Sequence, residues 1–134
     1  MKCVASQDVD FFIIPGDVVY GQYASILPEY MQLYNNLIQY DGFYAISAST
    51  SLLATWNDQE FRQGWLQNFS NPQLQSEIDL ALSAYDTTFP HLSGPGAVLN
   101  SQQPQGGSPQ YSTLWRSISW GDQVEIFILD ALMA

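Results

Sequence analysis

Basic residues are scarce. Three Lys and Arg stand against thirteen Asp and Glu, a net charge of −10 spread evenly between residues 1–67 and 68–134. Binding nucleic acid needs a basic stripe that replaces phosphate counterions, and no such stripe is present. The same deficit argues against docking on anionic lipid. Cysteine is limited to Cys3, which excludes an internal disulfide and a thiolate zinc cluster. No transmembrane run occurs, the longest apolar stretch near the start being Phe11-Phe12-Ile13-Ile14. Polar residues follow Met1-Lys2 by position 6, so no secretory leader is expected. The one histidine, His91, sits among Pro90, Ser93, Gly94 and Pro95, and reads as a loop residue rather than a ligand.

What the chain has is apolar and aromatic weight: 46% hydrophobic, 14% aromatic and only 12% charged, enough for the core of one domain. Val9 to Ile14 reads as a buried strand that Pro15-Gly16 stops. Tyr30, Leu33, Tyr34, Leu37 and Ile38 form the apolar stripe of a helix over 28–40, with Asp41-Gly42 at its end. Ser51 to Trp56 reads as a second buried strand. Asn71-Pro72 opens a helix carrying Leu74, Ile78, Leu82 and Tyr85 at helical spacing. Residues 91–110 hold four Gly and three Pro and no Asp, Glu, Lys or Arg, which predicts an exposed loop. Ser112 to Trp120, the turn Gly121-Asp122 and Val124 to Leu129 predict a hairpin or two adjacent strands. The order predicts a mixed α/β sheet flanked by helices, in a single domain over 1–134.

Two strand ends carry carboxylates: Gly16-Asp17-Val18-Val19-Tyr20 and Trp56-Asn57-Asp58-Gln59-Glu60. If the strands are parallel neighbours, both ends open on one edge, where Asp17 and Asp58 can share a hard cation. The plainer alternatives are a Gly-Asp turn with Tyr20 as an edge aromatic, and a short helix capped by Asn57-Asp58 with Glu60 in its first turn. Asn68-Phe69-Ser70 matches a glycosylation sequon, a weak signal here. Trp56, Trp65, Trp115 and Trp120 suit core packing better than carbohydrate stacking.

Phe11 to Gly21 resembles the strand and GDxxY loop of the alkaline phosphatase D (PhoD-like) metallophosphatases. Leu53 to Phe61 is similar to that family's WDDHE segment, and Trp115 to Asp130 to its RSFRWG…VEIFxLDxR stretch. The three segments agree in order and spacing over nearly the whole chain. The resemblance implies a partial four-layer α-β-β-α metallophosphatase sandwich, a mixed β-sheet with flanking helices. It implies a metal-dependent phosphate ester hydrolase in which metal-bound hydroxide attacks a small phosphate ester, with calcium and iron as the cations. It makes Asp17 and Asp58 metal ligands and Tyr20 a phenolate ligand. Gln59 and Glu60 fall on the catalytic segment, and Arg116 is a candidate phosphate contact or the partner of a buried acid. The family is typically exported.

Departures from the pattern lower the expected activity. Asn57 replaces an Asp, and Gln59 replaces a His, so the proton-holding imidazole becomes a carboxamide. The Arg of LDxR is missing at Leu129-Asp130-Ala131-Leu132. The chain is therefore expected to be an incomplete domain with weak or no turnover. Two other classes stay in view: a non-catalytic metal- or phosphate-binding module, and a half-domain that self-associates or takes a partner through open sheet edges.

Overall fold

A computed structural model describes residues 2–64, 71–89 and 116–129, which belong to two compact units, 1–89 and 90–134. The predicted 91–110 loop, His91, Trp65, Trp115, Asp130 and the Asn68 sequon lie outside the described residues.

The first unit begins with a short helix, α1 (Lys2–Ala5), followed by strand β1 (Phe11–Ile14). Helices α2 (Leu27–Gln39) and α3 (Asp41–Ser49) cross over to strand β2 (Ser51–Ala54). The two strands pair in parallel, with Phe11 opposite Ser51 and Ile14 opposite Ala54. Strands are predicted at these places, and each is shorter than expected. The predicted burial of β1 holds at Ile14 alone: Phe11 and Phe12 are half-buried and Ile13 is 50% exposed.

Pro28 in the first turn starts α2, and Glu29 reaches back to accept the Ser25 amide at 2.8 Å. Tyr30 and Tyr34 supply its buried face, Leu33 and Leu37 flank it, and Ile38 turns out to solvent. Asp41-Gly42 does not end the helical region. Tyr40 takes an extended ψ of 117°, and its carbonyl accepts the amides of Phe43 (2.9 Å) and Tyr44 (3.0 Å) to start α3. A carboxylate in the first turn suits the positive end of the α3 dipole, so Asp41 is compatible with opening a helix.

A 3-10 turn (Asp58–Glu60) follows β2, and then α4 (Pro72–Thr88). Asn71 caps α4 by accepting the Gln73 amide at 3.0 Å, and the predicted Leu74, Ile78, Leu82 and Tyr85 are all buried. Helix α4 packs on α2, closing an aromatic core. Tyr85 meets Tyr34 and Trp56 edge-on, with ring centroids 6.4 and 5.8 Å apart. Trp56 is thus a core residue, as expected, whereas Trp120, also expected to pack in a core, is 40% exposed.

The second unit contains an antiparallel hairpin of β3 (Arg116–Trp120) and β4 (Val124–Ile128). Its turn runs through Gly121, whose φ of 64° is the left-handed conformation that glycine adopts without strain. Together the described residues form a mixed α/β structure with small sheets and flanking helices.

Candidate functional site

Parallel pairing puts the C-terminal ends of β1 and β2 side by side, and the last ladder contact is the Thr55 amide donating to the Ile14 carbonyl at 2.9 Å. Beyond it the two acidic segments run next to each other. Gly16 turns with φ 98°, and a Cβ there would lie 2.5 Å from the Asn57 Cβ, so the close approach requires glycine. Asp17 follows with φ 60°, a left-handed conformation uncommon outside glycine. Its Oδ1 accepts a 3.0 Å hydrogen bond from Asn57 Nδ2. The two strand ends are joined at this bond.

Behind it lies Glu60, fully buried. Oε1 accepts the Val18 amide at 2.7 Å and Oε2 the Asn57 amide at 2.8 Å. The second bond belongs to a capping box between Asn57 and Glu60, so the plainer cap reading of this segment describes its local structure. Burial pushes the Glu60 carboxyl above the usual carboxylate range, and the backbone amides pull it part of the way back. The charge on Asp17 pushes in the same direction as burial.

Asp58 is half-buried, and its Oδ2 accepts the Gly64 amide at 3.1 Å. Gln59 is half-buried, and its backbone carbonyl accepts the Gly21 amide at 2.8 Å. Tyr20 is 59% exposed rather than filling a gap at an edge. The structure therefore collects Asp17, Tyr20, Asp58, Gln59 and Glu60 on two adjoining loops. Arg116 belongs to the other unit, where it is buried and pairs with Ile128 across the hairpin.

Asp17 and Asp58 each commit one carboxylate oxygen to a protein donor, and carboxylate and phenol oxygens such as that of Tyr20 are of the type hard cations take. Among the described residues no three or more His, Cys, Asp or Glu side chains group as a metal cage. Sequence reasoning missed two contributors, the Asn57 amide and the Gly16 close approach. An amide-bearing residue at the end of one strand with a carboxylate at the end of its neighbour was the available signal. No described helix is long and apolar enough to cross a membrane.

Comparison with protein-family models, with curated proteins and with solved structures finds nothing that this chain matches.

Proposed function

We propose that the chain is a metal-dependent phosphate ester hydrolase of the PhoD-like type, built on a partial four-layer α-β-β-α sandwich and working at reduced rate. The observation that carries this reading is the junction of the GDVVY and WNDQE segments: they leave neighbouring parallel strands and meet through Asp17 and Asn57 at 3.0 Å. Asp17, Asp58 and Tyr20 are the residues that would hold calcium- or iron-type cations. Such cations supply an activated water and stabilise charge on the phosphoryl oxygens. The chain's own groups offer little proton transfer. Both Glu60 oxygens are occupied by backbone amides, and the Gln59 carboxamide has no titrating proton to give a leaving group. Lacking a positioned acid costs about 10²–10⁴ in rate.

The test is a thermal melt with calcium, manganese or ferric iron, alongside hydrolysis of p-nitrophenyl phosphate and its bis ester. Binding to the folded state raises Tm. The expected result is a rise that Asp17→Asn and Asp58→Asn each remove, with slow turnover in the parent chain. A melt indifferent to every ion, with hydrolysis no faster than the ion alone, would refute the reading. The full commitment of the Glu60 carboxylate favours a second reading, a non-catalytic metal- or phosphate-binding module. A rise in Tm without turnover selects it.

A further inference from the structure

We propose that Glu60 is a positioning residue: its buried carboxylate ties the Asp17–Tyr20 loop to the turn after β2 and so sets where Asp17 and Tyr20 stand. Its two oxygens serve two separate stretches of chain. Oε1 takes the amide of Val18, 42 residues away, and Oε2 that of Asn57, three residues away. The tie begins where the β-ladder stops, since Ile14 opposite Ala54 is the last strand pair. The same turn grips the loop again on the far side of Tyr20, where the Gly21 amide donates to the Gln59 carbonyl. Val18 and Gly21 thus bracket Tyr20, while Asn57 holds the carboxylate of Asp17.

The chemistry of the tie requires two acceptors. Both partners are backbone N–H groups, which only donate. A carboxylate satisfies both; a carboxamide satisfies one and turns its own N–H₂ toward the other. A left-handed Asp17 also needs its surroundings to hold it, and the adjoining residue Val18 is where Glu60 takes hold. In this arrangement Glu60 needs no contact with substrate or cation to act.

The role rests on the proposed hydrolase reading only for its consequence at the cation; the tie itself is measured without any ion. Amide hydrogen exchange in the ion-free full chain compares the parent with Glu60→Gln and Glu60→Asp. In Glu60→Gln, protection is expected to fall at least tenfold at whichever of the Val18 and Asn57 amides the carboxamide N–H₂ now faces, while Thr55 in the ladder and Leu82 in α4 stay within about twofold. Glu60→Asp keeps two acceptors and is expected to restore part of that protection. Any cation-induced rise in Tm of the parent is expected to vanish in Glu60→Gln, although Asp17, Asp58 and Tyr20 are intact. Protection at Val18 and Asn57 unchanged in Glu60→Gln, or lost equally throughout the first unit, overturns the proposal. So does a cation response that survives the substitution, and that outcome leaves the hydrolase reading standing. Local loss of protection in a chain indifferent to ions does the reverse. Should Glu60→Gln not fold, scalar couplings across the hydrogen bonds from the Val18 and Asn57 amide nitrogens to the Glu60 carboxylate carbon decide in the parent chain. Their presence supports the tie, and their absence at both amides rejects it.

Discussion

Gly21 is the residue whose alteration tests the seating of the loop most directly. It is buried, and a Cβ added to it would overlap the Glu60 carbonyl oxygen and lie 2.9 Å from both the Phe61 carbonyl oxygen and Tyr30 Cε1. Two of these three neighbours are backbone atoms of the turn, which cannot rotate aside as a side chain would. The Tyr30 ring is held as well, because its hydroxyl donates to the Ala24 carbonyl at 3.0 Å. In Gly21→Ala the loop must therefore lift, stretching the 2.8 Å bond from the Gly21 amide to Gln59. Overpacking of this kind costs about 1–3 kcal/mol, and the lost hydrogen bond about 0.5–1.5 kcal/mol. The lower entropy of an unfolded alanine returns about 0.4–1 kcal/mol. A net loss of roughly 2–3 kcal/mol is expected, which for a domain of this size lowers Tm by about 10–20 °C. The assay is urea unfolding followed by tryptophan fluorescence, with Gly64→Ala as the reference. Gly64 has φ 71° and no atom within 4 Å of where a methyl group would stand, so alanine there carries backbone strain alone, about 1–2 kcal/mol. If Gly21→Ala unfolds within 0.5 kcal/mol of the parent, a threshold of about the size of ordinary surface effects, the close packing of loop on turn is wrong.

Two further predictions concern the tyrosines behind the loop. The Tyr34 hydroxyl is buried with no hydrogen-bond partner among the described residues, and burial pushes its phenol far above the ordinary range, with Glu60 the next contributor. Tyr34→Phe keeps the ring contacts and removes the unsatisfied group, so it is expected to raise stability by about 1–2 kcal/mol in urea melts; a loss of stability would mean the hydroxyl is satisfied. Tyr30 is pushed up to about 12, chiefly by burial, against 10.0 ordinarily. Below pH 10 both folded and unfolded forms keep the proton. Between pH 10 and 12 only the unfolded form releases it, so stability falls with rising pH, by about 2–3 kcal/mol across that window. Unfolding curves from pH 9 to 12 should show this slope, and Tyr30→Phe should flatten it; equal slopes in the two chains would count against the assignment.

The elements that local chemistry dictates were legible in the sequence. The Asn71 cap, the 72–88 helix with its buried stripe, and the Gly121 turn each depend on residues within a few positions of one another. The sequence alone leaves parallel pairing of the first two strands as a condition, and the ladder from Phe11 opposite Ser51 to Ile14 opposite Ala54 meets it. Asp41-Gly42 misled because the same pair suits the end of one helix and the start of the next. Only the extended Tyr40 and the burial of Gly42 and Phe43 against the rest of the unit decide between them. Ile38 falls on the stripe by periodicity but is 40% exposed. At the candidate site, residue types were legible and roles were not. Glu60 reads as a first-turn residue of a short helix or as an acid lining the site, and nothing local announces that an amide 42 residues away will bond its buried carboxylate.

The bond between Asn57 and Asp17 has a consequence for how a ligand would be received. Two facing carboxylates at these positions would repel each other and stay apart until a cation neutralised them, making closure of the loops part of the binding event. A carboxamide facing a carboxylate attracts it instead. The loops meet before anything arrives, so a ligand encounters a finished shape and its affinity is not reduced by the cost of ordering them.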